Sequence, residues 1–190
     1  MTVALLALLV AGGSFCAGML GALTGLGGGI IVVPMLTLLF GVDLRYAIGA
    51  SLVSIIATSS GAAAAYVREG FTNVRVGILL EVATTIGALI GAALSGVIPT
   101  AALGVLFGVV LLYTAYRSAK PREEHVPATV PDRWSERLRL DSNYPTADGL
   151  RAYSVRGVPA GFSLMFVAGV LSALLGIGSG VVKVVAMDQV

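Results

Sequence analysis

Charge is what this chain has least of. Asp, Glu, Lys and Arg make up 12% of its 190 residues, against about 25% in an ordinary soluble domain. That scarcity excludes a disordered chain, which needs high charge and low hydrophobicity. There is one Cys, so no disulfide can form within the chain. There is one His, His125, and it lies in a hydrophilic stretch. No metal-ligand cluster and no nucleophile–base pair can be assembled, so neither a cofactor nor an enzyme is expected. A net charge of +2 gives no footprint for nucleic acid. What the chain has in abundance is apolar surface. Hydrophobic residues make up 57% and there are 25 Gly. A soluble globule of this size cannot hide so much, which leaves a polytopic membrane protein.

The few charges are clustered. Fourteen of the 22 fall between Arg117 and Arg156, eight of them basic. Asp43 and Arg45 flank one short break, and Arg68, Glu69 and Arg75 flank another. Only Glu81, Lys183 and Asp188 fall inside apolar runs. Those runs are Thr2–Phe40, Tyr46–Val67, Val76–Pro99, Thr100–Tyr116 and Val158–Val190. A spanning helix needs ~20 residues. The second to fourth runs fit one span each, and Pro99-Thr100 turns the third into the fourth. The first run, as one helix, would reach ~58 Å at ~1.5 Å per residue, nearly twice the hydrocarbon core. It must fold back or break. The positive-inside rule places the basic stretch, 117–157, in the cytoplasm together with Arg68 and Arg75, with Asp43 and Arg45 outside. Within that linker Arg133–Leu140 reads as a short amphipathic helix suited to a membrane surface, with Trp134 and Leu138 four apart. The rest of it, rich in Pro, is expected to be mobile. Tyr113 and Tyr116 beside Arg117 read as an interfacial belt.

The chain also repeats itself. Shifted by 151 residues, Phe15–Val33 lies on Phe166–Val184, and ten of the 19 pairs are identical. Three of the ten are Gly25/Gly176, Gly27/Gly178 and Gly29/Gly180, in one G-x-G-x-G register. The expected organisation is a first transmembrane repeat at 1–116, a hydrophilic linker at 117–157 and the start of a second repeat at 158–190. A second repeat as long as the first would need about 80 residues more, so a truncated or partial reading frame is the expectation. The fold class expected is all-α: a transmembrane helical bundle with an internal repeat and glycine-broken helices.

Gly25, Gly27, Gly28 and Gly29 interrupt an apolar helix, and Pro34 follows. In a helix interior Gly costs ~1 kcal/mol and Pro ~3. Irregular backbone at membrane depth survives only where protein buries it or a watery cavity receives it. One reading makes Gly25–Gly29 and Gly176–Gly180, with Gly178 and Ser179, two facing breaks whose free N–H groups and dipole ends hold a small anion. The other makes them sites of close helix packing. Lys183, within the first turn after the second break, is a charge partner for that anion, or else a Lys that snorkels or pairs with Asp188. Glu81 is a coupling candidate, or an interfacial partner of Arg75. Ser51, Ser54, Thr58, Ser59 and Ser60 form a polar stripe, which either lines a path or bonds between helices, packing being the preferred reading.

Leu20–Pro34, Ala47–Leu52 and Gly169–Lys183 together resemble the signatures of the sulfite exporter TauE/SafE family of membrane permeases. The second motif departs from the first in having Val185 where the first has Pro34. The resemblance implies seven or eight spans in two related halves, a multi-pass place in the cell membrane, and movement of small sulfur-containing anions such as sulfite or organosulfonates. A non-transporting membrane scaffold, or an inactive fragment of a transporter, is the alternative. Whether the chain forms a homo-oligomer is left open.

Overall fold

The computed structural model describes residues 2–24, 28–68, 73–119, 133–146 and 149–180. Its helices are α1 (Val3–Thr24), α2 (Gly29–Pro34), α3 (Leu44–Arg68), α4 (Val74–Ser95), α5 (Thr100–Ser118), α6 (Arg133–Leu138) and α7 (Val158–Leu175). A π-helical segment, Met35–Leu39, prolongs α2. The only strands among the described residues form an antiparallel hairpin of β1 (Ser142–Thr146) and β2 (Gly149–Tyr153). The chain is a helical membrane bundle, as its composition requires. Apolar side chains lie outside as well as inside: Phe15 is 74% exposed, Leu38 83% and Leu112 74%. That surface suits hydrocarbon, not water.

The over-long first run is resolved by folding back. A Cβ built on Gly28 would stand 3.3 Å from Gly18 Cα, and one on Gly13 would run into the Met35 sulfur. Rising numbers on one helix meet falling numbers on the other, so α1 and α2 are antiparallel. The widened turn after α2 follows from Pro34, which has no N–H to donate and cannot fit a regular turn. Thr37 partly compensates, its hydroxyl donating to Val33 O at 3.0 Å and to Pro34 O at 3.3 Å. Gly41, at φ +65°, then turns the chain into α3.

Arg45 fixes one end of the bundle. Its Nη1 donates to Ser95 O at 2.6 Å and its Nη2 to Ile98 O at 2.7 Å. The first is the carbonyl of the last residue of α4, at the negative end of its dipole, and the second lies in the turn that leads to α5. The start of α3, the end of α4 and the start of α5 are therefore at one level, with Asp43 beside them. Asn73 fixes the other end. Its Oδ1 accepts the Val76 N–H at 3.3 Å and caps α4, while its Nδ2 donates to Leu140 O at 2.7 Å and to the Tyr153 hydroxyl at 3.0 Å. The linker docks there. Of the linker, α6 and the hairpin share that docking point, while 120–132 and 147–148 lie outside the described residues. Pro145 is accommodated because both strands of a two-stranded sheet are edges.

α4 and α7 pack along their whole length through missing side chains. A Cβ on Gly87 would collide with Phe166 O, one on Gly91 would lie 3.0 Å from Val170 Cα, and one on Gly169 would collide with Thr84 O. Gly87 meets Phe166 and Gly91, four residues on, meets Val170, also four on, so α4 and α7 are parallel. Helices in lipid gain little from burying apolar surface against each other, and close backbone approach is what holds them. The directions now close. α2 heads towards the Arg45 end, α1 away from it, and α7 towards it. Hence α1 and α7, two copies of one motif, run oppositely: the repeat is inverted.

Leucine at Gly87 or Gly169 should lower the melting temperature in detergent, since overpacking costs ~1–3 kcal/mol. Gly77→Ala is the control. Nothing lies within 4 Å of a Cβ there, so the change should be neutral or raise stability by up to ~1 kcal/mol. Equal melting temperatures for all three would refute backbone packing as the tie between α4 and α7.

Candidate functional site

The two breaks meet. α7 stops at Gly176, which takes φ +67° and returns its N–H to Ser172 O at 2.9 Å; Gly178 follows at φ +74°. Such left-handed turns are open to Gly and strained for most other residues. Opposite lies Gly29, the first residue of α2. A Cβ on Gly29 would run into Gly176 O, with Ile55 Cδ1 at 2.6 Å and Ser51 Oγ at 2.8 Å. One on Gly176 would stand 2.8 Å from Ile48 O, and one on Gly178 would stand 3.3 Å from Ile55 Cγ2. Three backbones, those of α2, α3 and the second break, therefore converge within contact distance.

Ser51 is the polar element at this crossing. It is 0% exposed, and its hydroxyl donates to Gly176 O at 2.7 Å. The bond spans the two copies of the repeat, with α3 of the first holding the break of the second. Three others of the stripe turn inward on their own helix. Thr58 donates to Ser54 O and Ile55 O, and Ser59 and Ser60 both donate to Ile56 O. Such back-bonding satisfies a hydroxyl without linking helices. Of five hydroxyls that look alike in sequence, one joins the site.

The other expected site residues fall as follows. Gly28 is buried against Ala17 and Gly18, while Ser179 and Gly180 are half-buried beside Gly178. Pro34 stands apart, in a groove of about 340 Å³ between the π-helical segment and Phe107, Gly108 and Leu111 of α5. Glu81 is exposed on α4 and is not brought to the breaks. Gly25, Gly27 and Lys183 lie outside the described residues. Two groupings have no counterpart in the sequence reading: the Arg45 clamp, and the packing glycines Gly87, Gly91 and Gly169. A small-xxx-small spacing, Ala83-Gly87-Gly91, was the available signal for the second. Among the described residues no group of His, Cys, Asp and Glu could hold a metal ion.

Ser51→Ala should destabilise the fold by about 1–3 kcal/mol, because it leaves a buried carbonyl unpaired. Ser54→Ala should change it by less than about 0.5 kcal/mol. Melting curves of the two variants, read side by side, decide. Equal effects would mean that the Ser51 bond holds nothing.

No solved structure matches the chain. Three curated proteins of similar sequence are probable membrane transporter proteins. YunE of Bacillus subtilis (strain 168) is 30% identical over 178 residues, which cover 90% of this chain and 63% of YunE. YdhB of the same organism is 32% identical over 101 residues, 53% of this chain and 41% of YdhB. MJ0441 of Methanocaldococcus jannaschii is 30% identical over 174 residues, 88% of this chain and 56% of MJ0441. The chain thus spans under two thirds of the length of each. The model of one family, sulfite exporter TauE/SafE, matches residues 10–190. Nearly the whole chain is covered, glycine breaks included, and it belongs to the sulfite exporter TauE/SafE family.

Proposed function

We propose that the protein is a membrane permease that exports small sulfur-containing anions, sulfite or an organosulfonate. The observation that carries this reading is the meeting of two glycine-broken helices, in inverted copies of one repeat, at a family member's own signature motifs. Inverted repeats with discontinuous helices are how many secondary transporters build a site near mid-membrane. Gly29 and Gly176, in backbone contact, serve as the joint. The anion is held next to that joint, by N–H groups of the Gly25–Gly29 and Gly176–Gly180 breaks and by the Lys183 ammonium. A fixed cation beside helix N-termini is self-repelling until an anion joins it. Glu81, on a helix that leaves it exposed, is the candidate for proton coupling. The linker, 117–157, faces the cytoplasm, where eight basic residues are retained.

The contact between Gly29 and Gly176 also favours a second reading, a scaffold in which the breaks serve packing alone. Flux separates the two. Proteoliposomes holding the protein, expressed from its full reading frame, should release preloaded sulfite or a short organosulfonate faster than empty vesicles. Lys183→Gln should cut that flux at least about tenfold, equivalent to ~1.4 kcal/mol of lost anion stabilisation, with unchanged folding yield. Lys183→Arg should keep part of it. Release no faster than from empty vesicles, for every sulfur anion tried, would leave the scaffold reading standing.

A further inference from the structure

Helix α6 is held at the level where α4 enters the membrane. The α6 chain end is a six-residue closure: Leu140 N–H donates to Ser135 O at 3.0 Å and Arg139 N–H to Glu136 O at 3.2 Å. Arg139 sits at φ +51° to make that turn. The turn's own carbonyls are then taken by α4. Asn73 Nδ2 donates to Leu140 O at 2.7 Å, and Arg75 Nη1 donates to Arg139 O at 2.9 Å. Asn73 is the cap of a span, so α6 lies beside the membrane–water boundary.

The faces of α6 fall in a definite order. Ser135 is 0% exposed and looks into the protein. At about 100° per residue, Leu138 lies about 60° round from it, Trp134 about 100° and Arg137 and Arg133 about 160–200°. Trp134 is 51% exposed and Leu138 42%, and neither Arg has a partner among the described residues. An apolar sector and a cationic sector thus adjoin, both turned away from the protein. Tyr113 and Tyr116, exposed near the same end of α5, mark an aromatic level beside it. Arg68 and Arg75 are exposed at that end too, and with Arg133, Arg137 and Arg139 they outnumber the exposed acids of the segment, Glu136 and Asp141, so the surroundings are net positive.

We infer that α6 is a headgroup-binding element for acidic phospholipid: Trp134 and Leu138 enter the interface, and Arg133 and Arg137 bind lipid phosphates. Through Asn73 and Arg75 the bound lipid also fixes the entry end of α4. Trp134 is the one Trp of the chain, so its fluorescence reports this element alone. The full chain is placed in nanodiscs of phosphatidylcholine, with or without phosphatidylglycerol, and quenched with lipids brominated near the headgroup. The expected result is blue-shifted, quenched emission with phosphatidylglycerol and weaker quenching without it. A basic residue near an anionic surface contributes about fivefold to docking, so Arg133→Gln with Arg137→Gln should weaken it about 25-fold. Raising salt to ~1 M, where screening falls to ~3 Å, should weaken it in the unaltered chain. Equal quenching in both lipid compositions would overturn the inference, as would water-like emission in both. Neither outcome depends on which anion the protein moves.

Discussion

One hydrogen bond and one missing side chain decide where the halves of this molecule meet. A helix that stops inside a bilayer leaves carbonyls that no water can take. At the end of α7 the carbonyl of Gly176 is such a group, and Ser51 donates to it from a fully buried position. The bond requires α3 to lie against the break, which in turn requires Gly29 to carry no Cβ. Any side chain on Gly29 would enter the space of the Gly176 carbonyl and the Ser51 hydroxyl together. The ends of α2, α3 and α7 are thereby set with respect to one another, and the spans follow.

The glycines therefore do two jobs, which composition cannot separate. At Gly176 and Gly178 the backbone takes a left-handed turn that side chains disfavour. At Gly87, Gly91 and Gly169 the backbone is plainly helical, and what matters is the absent Cβ, since two helices approach to contact there. The first kind breaks a span and the second kind joins two spans. In water a bundle can rely on apolar burial for the second job, but lipid offers no such drive. A chain with 25 Gly and little charge suits that solvent.

Much of this was legible in order along the chain and little of it across the chain. Spans α3, α4 and α5 fall within a few residues of the apolar runs, because charge at mid-membrane is costly enough to mark the boundaries. The repeat placed both breaks, and the over-long first run required a fold or a break. What could not be read was partnership. Ser51, Ser54 and Thr58 are equivalent in sequence, and only the position of another helix end distinguishes them. Arg45 reads as an ordinary boundary charge until α4 brings its last carbonyls alongside. The docking of α6 was out of reach for the same reason: its contacts are with Asn73 and Arg75, more than sixty residues earlier in sequence.

The inverted relation of α1 and α7 has a consequence for how the breaks can act. The first restart, α2, begins at Gly29, and Gly29 lies against Gly176, where α7 stops. The positive end of the α2 dipole is thereby set at the level of the second break. In the second motif Lys183 falls three residues after Gly180 in sequence. The first motif has Val32 at the corresponding position, so the charge is carried by one half alone. The asymmetry separates the two readings of the motif: packing by glycine would need no charge in either half, whereas holding one anion would need one ammonium group.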